Sequence, residues 1–148
     1  IRRVRANHDD QVTRSRLDEL YRHCADLGID VAWRDLGQRR GEYRDAERLI
    51  VLNPALTEPQ VVASLAHELG HCRFRDTCST PRNERRAWQY AAALLLTPHE
   101  YRRAELLVGP HAGAMAVELG VTVRLIEAWR DWWQTRGRHL HSTLDGVR

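Results

Sequence analysis

The sequence predicts a single α+β domain over residues 1–148, dominated by helices, with a small β-sheet near the N-terminus. Three observations predict it. A chain of 148 residues, 43% of them hydrophobic, is long enough to bury one core and too short for two full domains. Short strand-like runs cluster between residues 29 and 52, and segments of helical period fill most of what remains. No apolar run approaches the roughly 20 residues that a membrane-spanning helix needs, which excludes that class.

The elements follow in order. From Asp10 to Leu27 the apolar residues Val12, Leu17, Leu20, Tyr21, Cys24 and Leu27 keep helical spacing, and Gly28 supplies a stop. Ile29-Asp30-Val31-Ala32-Trp33 alternates as a strand does, and Gly37 to Gly41 is a charged turn. Two further strands, around Tyr43 and over Arg48–Leu52, are joined near Arg44-Asp45-Ala46, and Asn53-Pro54 closes the sheet. The next helix starts at Thr57-Glu58-Pro59-Gln60. The Thr57 hydroxyl can cap a free backbone N–H, Gln60 can reach back three residues, and Pro59 sits where its missing N–H costs nothing. This helix runs to about Phe74, with Val61, Val62, Leu65 and Leu69 on its core face.

A polar loop over Arg75–Thr80 leads to a helix opened by Pro81 and ended at Thr97-Pro98, with Ala91, Leu94 and Leu95 expected to face the core. A short helix follows from Pro98 to Leu107. Ala112–Leu119 and Val123–Gln134 are a last helix pair (residues 112–134), joined at Gly120-Val121-Thr122, before a polar tail over 136–148. The packed core is expected within residues 10–135.

The net charge is +3, and all 23 basic residues are Arg, a bias expected of a GC-rich coding sequence, bacterial or phage. The 20 acidic residues are interspersed with them, so the charge reads as a mixed solvated surface rather than a nucleic-acid footprint. Three Cys, with no signal-peptide pattern, point to a reducing cytoplasm rather than a disulfide framework. The chain opens at Ile1 rather than Met, which leaves room for an upstream piece.

The Thr57-capped helix carries His67-Glu68-Leu69-Gly70-His71, an H-E-x-x-H motif. Residues four apart lie on one helical face, so both imidazoles can converge on one cation, and a zincin-like active-site helix is expected. Glu68 lies beside the first ligand and can reach water at the metal without occupying a coordination position. Zn2+ lowers the pKa of such water to about 7, and Glu68 can take its proton and later deliver it to a leaving amine. A catalytic zinc usually has three protein ligands. The longer H-E-x-x-H-x-x-G-x-x-H pattern fails here, because Phe74 and Thr77 occupy its Gly and last His positions. Asp76, Cys78, Glu84 and His99 are the candidates. Glu84 is favoured, since an antiparallel return through the loop brings the first turn of the next helix back to His71. Cys78 in that loop is second, and Cys72, about 100° around the helix from His71, is buried filler.

The stretch Ala66-His67-Glu68-Leu69-Gly70-His71, with Asn83-Glu84-Arg85-Arg86-Ala87-Trp88-Gln89-Tyr90-Ala91-Ala92-Ala93-Leu94-Leu95-Leu96-Thr97-Pro98, resembles the ImmA/IrrE family of zinc metallopeptidases. Its hallmark is A-H-E-[LI]-G-H followed by E-x-x-A-x-x-[FY]-A-x-x-L-L-x-P. The likeness extends over most of the chain, from about Asp10 to Trp133. It includes the Leu49–Leu52 strand and the segment Ala116-Val117-Glu118-Leu119-Gly120-Val121-Thr122. The resemblance implies His67, His71 and Glu84 as zinc ligands and Glu68 as general base. Arg86 stands where a second Glu is common, Trp88 stands where Asn is usual, and Thr97 is an extra residue before Pro98. It further implies a selective cytosolic endopeptidase whose substrate is a helix-turn-helix repressor of a phage, mobile element or stress response. The alternative is a non-catalytic, zinc-stabilised regulator that binds a repressor or DNA.

The last helix pair has a helix-turn-helix look, yet Arg124 and Arg130 are set against Glu127 and Asp131 with no phosphate-tracking face, so direct nucleic-acid binding is not expected. Trp129, Trp132 and Trp133 read as core and edge. Tyr43 and Tyr90 are candidates to stabilise an oxyanion, with ordinary packed aromatics as the leading reading of both.

Overall fold

The computed structural model describes residues 2–137. It is a helix-dominated α+β fold with the element order α1 (Arg2–Asp26), β1 (Asp30–Trp33), β2 (Gly41–Arg44), β3 (Leu49–Leu52), α2 (Glu58–Phe74), α3 (Pro81–Leu95), α4 (Pro98–Val108), α5 (Ala112–Leu119) and α6 (Val123–Trp132). A wider π-helical turn, Trp133–Gly137, extends α6 beyond the expected Gln134. The first helix begins at Arg2 instead of Asp10. Apolar spacing marks only where a helix has a face to bury, whereas good helix formers such as Arg and Ala extend it further.

The three strands lie in the order β1-β3-β2, with β3 parallel to β1 and antiparallel to β2. Ile50, Val51 and Leu52 of β3 are all buried, as a central strand covered on both faces requires. Tyr43 of β2 pairs with Ile50, and Gly41 with Leu52, so β2 is an edge strand. The β2–β3 turn closes with Arg48 in the left-handed conformation (φ 49°). Its guanidinium donates to the Leu27 carbonyl (2.9 Å) and the Tyr43 hydroxyl (3.2 Å), tying the turn to the end of α1.

α2 is capped as expected: the Gln60 side chain accepts from the Thr57 N–H at 3.0 Å. Val61, Val62, Leu65 and Leu69 are buried, and Cys72 is buried with them. Gly70 allows α3 to come close, because a Cβ at that position would lie 2.7 Å from the Cα and carbonyl oxygen of Ala87. α3 ends at Leu95, earlier than expected, and Leu96 runs on as buried extended chain. Ala91 and Leu95 face the core, but Leu94 is exposed, because it falls just outside the arc of α3 that Ala87, Gln89, Ala91, Ala92 and Leu95 bury.

α6 is held to α3 by a bidentate Arg85–Asp131 pair (2.7 and 2.9 Å) and by Gln89 donating to Asp131 (2.9 Å). Trp129 is buried, stacks on Tyr101 with centroids 3.8 Å apart, and donates its indole N–H to the Leu96 carbonyl. Trp132 and Trp133 are only partly buried at the margin of that core. Among the described residues, no helix is long and apolar enough to cross a membrane.

Candidate metal centre

Two helices and one loop build the site. α2 presents His67 and His71 one turn apart, and the first turn of α3 presents Glu84 opposite them. One ligand atom from each of the three lies within 4.8 Å of the others. The Glu84 carboxylate faces both rings: Oε2 is 3.0 Å from His67 Nε2, and Oε1 is 2.9 Å from His71 Nε2. A tetrahedral ion with bonds near 2.0–2.1 Å spaces its ligand atoms about 3.3 Å apart, so the donors fit a small cation such as zinc. Two imidazole nitrogens and a carboxylate oxygen are also the donor types such an ion takes.

Glu68 is 5% exposed. Its Oε1 lies 3.3 Å from His67 Nδ1, and its side chain runs under the edge strand. There a Cβ on Gly41 would come within 3.0 Å of Glu68 Cγ and Oε1. The strand passes directly over the carboxylate because residue 41 has no side chain. His67, His71, Glu84 and Glu68 open together on a cleft of about 580 Å³, walled by Arg39 to Tyr43 on one side and Asp76 to Ser79 and Trp88 on the other.

The remaining sequence candidates are placed differently. The Asp76 side chain is buried outside the donor cluster, and its Oδ2 accepts from His71 Nδ1 at 2.9 Å. The end of α2 creates that contact. Arg75 takes the left-handed conformation (φ 53°), the Asp76 N–H bonds back to the His71 carbonyl (2.9 Å), and the Arg75 N–H bonds to that of Cys72 (3.1 Å). This is the Schellman arrangement. It folds residue 76 back over the last turn.

Cys78 is exposed in the cleft wall beside Asn83 and is not in the donor cluster, and exposed His99 lines a separate cavity near Trp133. Tyr43 reaches the cleft, but its hydroxyl donates to Asp45 (2.6 Å). Burial, followed by that hydrogen bond, pushes its pKa up. Tyr90 lies outside the cleft lining, 3.3 Å from His23 Nε2.

Two contacts at the site are not evident from the sequence: Trp88 stacks on His67 with centroids 4.4 Å apart at 26°, and Arg86 grips Asp76, the partner of His71, at 2.6 Å. The spacing of Trp88 was a usable signal, since it follows Glu84 by four residues and so shares its helical face.

Among curated proteins nothing matches the chain. The family model for peptidase M78, the IrrE N-terminal-like domain, matches residues 24–128, about seven-tenths of the sequence. That span runs from the end of α1 into α6 and takes in both helices that carry the donors. The chain therefore belongs to the M78 family of metallopeptidases.

Proposed function

We propose that the protein is a zinc-dependent endopeptidase of the cytoplasm that cleaves a helix-turn-helix transcriptional repressor of a phage, mobile element or stress response. His67, His71 and Glu84 hold the metal on this reading, and Glu68 is the general base. The observation that carries it is the convergence of two Nε2 atoms and one carboxylate, with a second, buried carboxylate beside them, on a single open cleft. The cation, when bound, supplies Lewis acidity that brings the pKa of water down to about 7. Glu68 then takes the proton from the attacking water and passes it to the departing amine. Edge strand β2 bounds the cleft beside Glu68, in reach of an extended peptide.

Among the described residues the cluster has three protein donors and no fourth from Cys78 or His99, which supports a site left open for chemistry over a closed structural one. The helix-turn-helix look of α5–α6 supports DNA binding poorly. Arg124 lies over the Trp88 ring, and Arg130 is spent on the Tyr101 hydroxyl (2.7 Å) and the Pro110 carbonyl.

Glu68→Gln tests the reading. It leaves the three donors in place, so zinc content and folding should match wild type, while cleavage of a co-incubated repressor, followed by mass spectrometry of fragments, should fall by about 10²–10⁴. Wild-type cleavage by that variant would end the hydrolytic reading. Release of the repressed genes by Glu68→Gln as complete as by wild type would favour the non-catalytic regulator.

A further inference from the structure

Each of the two imidazoles has a contact of its own besides Glu84. His71 Nδ1 faces the Asp76 carboxylate at 2.9 Å. The Asp76 side chain is 5% exposed, and its other oxygen is held by Arg86 at 2.6 Å. The Arg86 guanidinium is itself laid on the Phe74 ring, 4.0 Å from its centroid. A carboxylate accepts and cannot donate, so it selects the tautomer with hydrogen on Nδ1 and leaves the Nε2 lone pair directed at Glu84 and the cleft.

His67 has the Glu68 carboxylate 3.3 Å from its Nδ1, and a surface against its ring face. Trp88 lies against it at 4.4 Å and 26°, and the Arg124 guanidinium of α6 also sits over the Trp88 ring, 4.6 Å from its centroid. The indole is thus held by a cation from the neighbouring helix, and it in turn limits rotation of the imidazole about its χ2 bond.

We propose that Asp76 with Arg86, and Trp88 with Arg124, are the positioning residues of the metal centre, one pair for each imidazole. Arg86 holds the group that faces the His71 ring, and Trp88 faces the His67 ring itself. The proposal rests on the reading of His67 and His71 as ligands, and its test keeps the two apart.

Zinc affinity by chelator competition and the visible spectrum of the Co2+-loaded protein are the readouts, with circular dichroism as the check on folding. Asp76→Ala should weaken zinc by about 10- to 100-fold, the range that orienting partners of metal-bound histidines command. Trp88→Ala should weaken it by about tenfold and alter the Co2+ bands, whereas Trp88→Phe, which keeps a stacking ring, should restore both. If Asp76→Ala fails to fold, Asp76→Asn and Arg86→Gln, which keep the shape, should still loosen zinc and shift the bands. Wild-type zinc affinity and unchanged Co2+ bands in the folded Asp76 and Trp88 variants would overturn the positioning roles while leaving the ligands intact. Wild-type zinc affinity in His67→Ala and His71→Ala would instead overturn the ligand reading.

Discussion

Glu68 is the residue on which the proposed chemistry turns, and its freedom is set by a residue with no side chain. The carboxylate is buried between His67 and the backbone of β2, where a Cβ at position 41 would stand 3.0 Å from Glu68 Cγ and Oε1. Gly41 does not take a positive φ, so Gly41→Ala adds a methyl group without straining the backbone of β2. The methyl must push Glu68 aside by a few tenths of an ångström or more. Small misplacements of a reacting group cost up to about 10² in rate, so Gly41→Ala should lower repressor cleavage by roughly 10- to 100-fold with zinc content unchanged. A variant as fast as wild type would show that the carboxylate is not held by the strand. The motif itself was legible in the sequence because its geometry is local, two histidines one helical turn apart. The role of Gly41 was not, because nothing near residue 41 indicates that it lies against residue 68, 27 positions away.

The helices are where sequence and structure agree best, and the exceptions have physical causes. Proline and capping residues at Thr57, Thr80, Thr97 and Thr122 mark the starts of α2, α3, α4 and α6 within a residue or so, since the cap acts on its own first turn. Strand order was only partly legible. The unbroken apolar run 49–52 suits a buried central strand, but which neighbour pairs with it parallel and which antiparallel is a long-range property. The Gly70 approach is likewise a property of two elements. A methyl group there would meet the Ala87 backbone at 2.7 Å, and backbone, unlike a side-chain tip, cannot turn away. Gly70→Ala should therefore drive α2 and α3 apart. We expect a loss of about 1–3 kcal/mol in stability from overpacking, and weaker zinc binding because Glu84 moves with α3. Urea unfolding and chelator competition on the same preparation measure the two effects. Full stability in Gly70→Ala would mean that the helices tolerate a wider separation than the contact implies.

At the scale of the whole molecule, the proposed ion joins α2, which is threaded through the core, to α3, which links that core to α6. The three donors come from residues 67, 71 and 84, and the 76–80 loop between the helices has few buried side chains of its own. A cation bound only by the folded arrangement stabilises it by about RT ln(1 + [L]/Kd), which is about 2.7 kcal/mol at a hundredfold excess over Kd. For a chain of this size each kcal/mol moves the melting temperature by roughly 2–4 °C, so chelation should lower it by roughly 5–10 °C. Returning zinc should restore the difference. Glu84→Ala should melt at the same temperature with and without zinc, because two imidazoles alone cannot close the site. Glu68→Gln should respond to zinc as wild type does, since it removes no donor. That pairing separates the metal from the chemistry: a zinc-dependent shift that persists in Glu84→Ala would remove Glu84 from the ligand set and bring Cys78, in the same cleft wall, forward in its place.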